Sequence, residues 1–307
     1  MKHLLIILSI LLLFSSTFIS CSKSSDDGST TTSTELFVSV GDNGTILTSS
    51  DGTSWTERTS GTSNILMGVT YGNSTFVTVG YYGTILTSSD GITWTERTSG
   101  TSEILMGVTY GNGLFVTVGP IGTILTSSDG TTWTERTSGT SRYLYGVTYG
   151  NGTFVTVGPG GTIFTSSDGT SWTERTSGTS DLLLGVTYGN NTFVSVGFSG
   201  TILTSSDGTS WDNRTSGTTV NLYEVTYGNG TFVTVGQSGT ILTSPDGTTW
   251  TSRTSGTSNS LVGVTYGNGL FVTVGDKGTI LTSSDGTTWT ERTSGTSRYL
   301  YGVTYSQ

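Results

Sequence analysis

The 307-residue chain has one histidine, His3, and one cysteine, Cys21. A lone cysteine has no intramolecular disulfide partner, and the two residues together cannot make a His/Cys metal cluster. His3 also lies in a segment that reads as removable, so no Ser/His/Asp arrangement survives processing. No cofactor or metal is expected. Positive charge is scarce as well, with 12 Lys and Arg against 21 Asp and Glu, and loss of the leader takes Lys2 from the basic side. Such a surface repels nucleic acid and anionic lipid. Hydrophobic residues make up only 32%. That fraction alone points towards disorder, yet the apolar residues fall in short alternating runs at fixed places, with Gly, Thr and Ser between them. The pattern is that of an ordered all-β chain.

One long apolar run is present, "LLIILSILLLF", preceded by Lys2 and His3. It is shorter than the roughly 20 residues that a helix needs to cross a bilayer, and small polar residues follow it, so residues 1–20 read as a signal peptide. Cys21 stands at the cleavage point in "FISCSK", which resembles the lipobox of bacterial lipoproteins, with Ile19 and Ser20 fitting. The resemblance implies that Cys21 becomes an acylated N-terminus. Acyl chains then hold the protein on the membrane, each buried methylene contributing about 0.8 kcal/mol, and two or more chains are needed. Ser22 implies the outer membrane. "SKSSDDG" resembles the acidic export tag of surface lipoproteins of the Bacteroidota, which implies surface exposure, with a periplasm-facing protein as the alternative. Residues 21–34 hold nothing to bury and read as a flexible tether.

The rest of the chain repeats one phrase. Its tryptophans, Trp55, Trp94, Trp133, Trp172, Trp211, Trp250 and Trp289, follow one another at a constant interval of 39 residues. A fixed period of this size marks a repeat architecture. Four strands are expected per period: "LMGVTYGN" near Leu66, "TFVTVG" near Phe76, "GTILTSS" near Ile85 and "TWTERTS" near Trp94. Gly-Asn, a variable pair before Gly, and Asp-Gly supply the turns, with Asp-Gly read as a type I′ hairpin. Four strands joined by tight turns describe a propeller blade. The first copy starts at its second strand, "ELFVSVG", and a spare first strand, "YLYGVTY", comes last. Pairing these two closes a seven-bladed β-propeller over residues 35–307 and removes free sheet edges. An open β-solenoid is the alternative, but it gives no reason for complementary phases at the two ends. The tryptophans are the expected pegs between blades.

"SSDGTTW" resembles the Asp-box, or BNR, repeat of bacterial propellers, Ser-x-Asp-x-Gly-x-x-Trp. Asp and Gly are adjacent here, so each copy is one residue short, and Pro245 interrupts the sixth. "GTILTSSDG" resembles the photosystem II stability and assembly factor and its bacterial relatives, over residues 36–305. The resemblance implies a seven-bladed ring in which the Asp-box is a structural turn between the third and fourth strands. That role falls to Asp51, Asp90, Asp129, Asp168, Asp207, Asp246 and Asp285. A calcium ladder is not expected, because each turn offers one carboxylate and calcium takes six to eight oxygens.

Two places vary among the copies: the pair between the second and third strands, such as Tyr81-Tyr82, and the link into the next blade, such as Arg142-Tyr143. Both emerge on one face of an antiparallel four-stranded blade, which is the pattern of a uniform scaffold presenting a ligand face. Its candidate residues are Tyr81, Tyr82, Glu103, Arg142, Tyr143, Tyr145, Asp181, Tyr223, Glu224, Arg298, Tyr299 and Tyr301. Tyrosine suits both stacking on sugars and protein hot spots, so the expected ligand is a glycan or a protein, bound by a monomer. A sialidase-like enzyme is the alternative. Its arginine triad has no counterpart, since Arg58 and its equivalents to Arg292 recur on the outer strand and leave only Arg142 and Arg298. Glu224 replaces a glycine found in six copies, and if the first strand is innermost it enters the channel. Asp181 or Glu103 is then the second carboxylate of a conceivable glycosidase pair.

Overall fold

The computed structural model describes residues 35–306, so the signal segment, Cys21 and the tether lie outside the described residues. Seven four-stranded antiparallel sheets form seven blades, and the β-solenoid alternative falls. Blade 2 is typical, with strands Leu66–Gly72, Thr75–Gly80, Ile85–Ser88 and Thr95–Arg97 in that spatial order. Blade 1 takes Phe37–Gly41, Ile46–Ser49 and Thr56–Arg58 from the start of the described chain and Leu300–Tyr305 from its end. Phe37 pairs with Tyr305, Val38 with Thr304 and Ser39 with Val303. First strands of neighbouring blades pack against one another, and Leu300–Tyr305 lies between Leu66–Gly72 and Leu261–Gly267. The first strand is therefore innermost and the ring is closed.

The second strand of each blade is buried on both faces because a neighbouring sheet covers each side. In blade 2 this places Phe76, Val77 and Val79 in the core, and the intervening Thr78 is satisfied by donating its hydroxyl to the Gly68 carbonyl at 2.9 Å. Cores form between blades rather than within them: Val77, Val79 and Ile85 of blade 2 meet Leu105, Phe115 and Leu125 of blade 3. The principal pegs are the phenylalanines Phe37, Phe76, Phe115, Phe154, Phe193, Phe232 and Phe271, all fully buried. The tryptophans stand at the rim. Trp55 lies 6.4 Å from Phe37 between ring centroids and donates Nε1–H to the Gly52 carbonyl at 3.1 Å, so its indole closes the turn as well as covering the core. Nearer the axis, the Tyr110 ring lies where a β-carbon on Gly72 would sit, a tyrosine-over-glycine contact repeated around the ring.

Turn chemistry differs from the expectation at one point. The type I′ geometry belongs to the Gly-Asn turn: Gly72 pairs with Thr75, and the two residues between, Asn73 and Ser74, have φ of 46° and 56°. At the Asp-Gly turn only the glycine has positive φ, and six residues separate Ser49 from Thr56. The Asp51 carboxylate organises that longer loop. It accepts the Thr53 and Ser54 N–H groups at 2.8 and 2.9 Å, the Thr53 hydroxyl at 2.6 Å and the Ser49 hydroxyl at 3.0 Å. These bonds hold its pKa below the usual carboxylate range, the Thr53 hydroxyl acting most.

Candidate functional site

Each variable pair forms a three-residue turn, and its second residue takes a left-handed conformation: Asn43, Tyr82, Ile121, Gly160, Ser199, Ser238 and Lys277, with φ between 54° and 66°. A β-branched residue such as Ile121 pays strain there, of order 1 kcal/mol or more. The turns hydrogen-bond to the variable links, as in Tyr81 N–H to the Ile65 carbonyl at 2.9 Å and Gly44 N–H to the Asn64 carbonyl at 2.9 Å. The two variable places thus share one face.

Part of that variation is structural. The first link residue ties successive blades together, its carbonyl bonded to one blade and its side chain to the next. Arg142 accepts the Gly122 N–H of blade 3 at 2.8 Å and donates Nη1–H to Thr162 Oγ1 of blade 4 at 3.0 Å, and to Glu174 at 3.1 Å. Asp181 accepts the Gly161 N–H through its carbonyl and the Thr201 hydroxyl through Oδ2, at 2.8 and 2.6 Å. Arg298 reaches Thr45 and Glu57 at 3.1 and 3.4 Å. Asn64 and Asn259, passed over in the sequence, make the same latch to Thr84 and Thr279 at 2.8 and 2.9 Å. Glu103 occupies the equivalent position half-buried, with its N–H bonded to the Thr101 hydroxyl at 3.1 Å.

The tyrosines gather into two patches. Tyr299 and Tyr301 stack at 6.5 Å, and Tyr301 donates its hydroxyl to Asp42 Oδ1 at 3.0 Å. Burial first, and then the Asp42 charge, push that hydroxyl above the tyrosine range; Tyr81 is also close enough to act on it. Tyr81 and Tyr82 meet edge to face at 6.2 Å. Across the ring, in blade 4, Tyr143 stacks on Tyr145 at 6.0 Å. Tyr223 belongs to blade 6, its hydroxyl raised by burial and by Asp276. Ile121 and Phe198, in the variable pairs of blades 3 and 5, are exposed on the same face and were not among the candidates. Their signal was position in a variable turn rather than residue type.

Glu224 does reach the axis. It lines a cavity of about 160 Å³ together with Met67, Met106, Tyr145, Leu184, Tyr301 and the glycines and valines of the inner strands. Oε1 accepts the Val225 N–H at 2.9 Å and lies over Gly185 of blade 5, where a β-carbon would approach it to 2.8 Å. Burial drives its pKa up to about 8, against the lowering effect of the Val225 N–H. Neither Asp181 nor Glu103 lines the cavity, and Glu224 is the one carboxylate there among the described residues. The paired carboxylates of a glycosidase are not brought together. Arg58 and its equivalents stay on the outer strands, where Arg58 Nε–H donates to Thr48 Oγ1 at 2.8 Å. No group of three or more His, Cys, Asp or Glu residues suited to a metal occurs among the described residues.

No protein-family model matches the chain, and no curated protein sequence matches it. Solved structures do. One described as YCF48 bound to D1 peptide superposes with a TM-score of 0.66 at 18% identity, covering 81% of this chain and 88% of that one. YCF48 from Cyanidioschyzon merolae gives 0.61 at 14% identity, over 76% of this chain and 87% of that one. The computationally designed Ika8 protein gives 0.65 at 15% identity, over 89% and 88%. At these identities the likeness is one of fold, and a natural and a designed ring share it equally.

Proposed function

We propose that the protein is a membrane-anchored, extracytoplasmic binding module whose variable face docks a protein segment. The observation that carries the reading is where apolar surface is left exposed. Of six large exposed hydrophobic residues among those described, Tyr82 at 72%, Ile121 at 62%, Tyr143, Phe198 and Tyr299 belong to the variable face, while Ile92 lies in an Asp-Gly turn on the other. Exposed apolar side chains gathered on one face mark an interaction surface, and strain at Tyr82 and Ile121 is tolerated where a site is presented. A similar ring solved with a bound peptide supports a protein ligand. The stacked pairs Tyr143–Tyr145 and Tyr299–Tyr301 suit a sugar ring as well, so a glycan is the second reading. Attachment to a bacterial outer membrane through acylated Cys21 is part of the proposal, as is a monomeric state.

The test is a pull-down from outer-membrane extract beside a glycan array, using wild type and a Tyr82→Ser, Ile121→Ser, Phe198→Ser variant of unchanged melting temperature. A defined protein retained by wild type and lost by the variant supports docking. Specific glycan binding with no such protein replaces it with the second reading.

A further inference from the structure

We propose that the axial cavity binds a primary ammonium group, with the nitrogen on the free oxygen of Glu224. Every blade contributes its inner strand to this cavity, and the side chains there are apolar apart from Glu224 and two tyrosines, but most of the exposed lining is polar, with main-chain oxygens of the inner strands such as those of Tyr145, Leu184 and Tyr301 beside the glycines. One Glu224 oxygen is held by the Val225 N–H, and the other has no hydrogen-bond partner among the described residues. The side chain is thereby fixed and its open acceptor is left facing a space large enough for several waters or one small organic group. A half-buried carboxylate without a counter-charge is a costly thing to keep in a ring whose other six inner strands carry glycine at that position. A cation of matching shape removes the cost. A free carboxylate oxygen amid main-chain oxygens fits the three N–H donors of a primary ammonium.

The ring of glycines positions the acid. A β-carbon at Gly107, Gly146 or Gly263 would come within 2.4–2.6 Å of the main-chain oxygen of the next inner strand, so side chains are excluded there and the bore stays narrow. At Gly185 the absent β-carbon leaves the room that Glu224 Oε1 fills.

Binding is coupled to a proton. Burial holds Glu224 largely protonated at neutral pH, so an incoming ammonium displaces the carboxyl proton to solvent and forms the ion pair. The other titratable groups lining the cavity are Tyr145 and Tyr301, both with hydroxyls raised by burial, so neither changes charge below pH 9. The flanking inner strands Leu183–Gly189 and Leu261–Gly267, and the paired strand Thr231–Gly236, carry no Asp, Glu, Lys, Arg or His.

The same chemistry comes from a free amine or from a lysine of a bound chain, and two probes separate them: n-butylammonium, and Nα-acetyl-lysine N-methylamide. Calorimetric titration of the folded propeller is expected to show n-butylammonium binding at least about tenfold tighter at pH 8.5 than at pH 6.5, with proton release. Glu224→Gln and Glu224→Gly, the second restoring the residue of the sister strands, are expected to abolish it at unchanged fold. Binding of both probes identifies a lysine donor as admissible, and binding of n-butylammonium alone restricts the site to free amines. Absence of binding at pH 8.5, or binding that survives in Glu224→Gly, overturns the proposal. The triple variant of the variable face leaves the cavity intact and is expected to bind both probes as wild type does, so failure of the docking reading is distinguishable.

Discussion

Phe37 and Tyr305 face each other across the join of the ring, as ladder partners with ring centroids 4.6 Å apart. Blade 2 makes the same contact, Tyr71 with Phe76 at 4.7 Å, inside one hairpin. In blade 1 it joins the two ends of the described chain. Deleting Leu300 to Gln307 removes the buried Leu300, Val303 and Tyr305 from the core between blades 7 and 1, and exposes the edge of Phe37–Gly41. Aggregation, or a melting temperature lower by about 10 °C or more, is expected by calorimetry. A truncated protein melting with the full-length one contradicts this role of the closing strand.

Glu224 gives stability a definite pH profile. Below pH 4.5 the carboxyl is protonated in folded and unfolded chains alike and carries no penalty. As pH rises from 4.5 towards 8 only the unfolded chain ionises, and stability falls, by about 5 kcal/mol at most once both are ionised. Asp51 acts in the opposite sense. Its lowered pKa stabilises the fold above pH 3.8, and that contribution is lost as pH falls further. Urea midpoints measured from pH 3 to 9 are expected to peak between pH 4 and 5, and Glu224→Gln is expected to flatten the decline above the peak. An equal decline in both proteins assigns it to some other group.

The cores between blades rest on phenylalanine more than on tryptophan. Phe154 is fully buried, so Phe154→Ala leaves a closed cavity and is expected to cost about 3–5 kcal/mol. Trp172 is partly buried at the rim, where water fills the gap left by Trp172→Ala. Denaturant midpoints of the two variants rank them, and a larger loss at Trp172 reverses the assignment.

The anchoring proposal makes its own prediction. Among the described residues no helix is long and apolar enough to cross a membrane. With acylated Cys21 as the anchor, replacing Cys21 with Ser is expected to move the propeller into the soluble fraction with its melting temperature unchanged. Membrane retention of this variant counts against lipidation.

Period, strand count and ring closure were legible because each is written in spacing, and spacing survives whatever the side chains do. Turn assignment was not. Gly-Asn and Asp-Gly both mark turns between strands, and what separates them is loop length: two residues between Gly72 and Thr75, against six around Asp51, whose carboxylate takes up the N–H groups of Thr53 and Ser54. The interblade latches were invisible for another reason. Asn64 and Thr84 lie 20 residues apart, and only the packing of consecutive blades brings them within 2.8 Å. Glu224 was placed on the axis only if its strand were innermost, and the packing of the first strands against one another meets that condition. Its isolation from Asp181 followed from the latch that occupies Asp181.

The left-handed position in each variable turn has a consequence for how such a ring changes over time. The turn closes through main-chain bonds, such as Thr84 N–H to the Tyr81 carbonyl at 3.1 Å and Gly80 N–H to the Thr84 carbonyl at 3.0 Å. Asn, Tyr, Ile, Gly, Ser and Lys all occupy it without altering that geometry. Folding and recognition are consequently written in separate letters of the repeat. A duplicated blade arrives with its folding instructions complete and its recognition letters blank, so new specificity can be drafted one turn at a time, by selection in nature or by a randomised library in the laboratory.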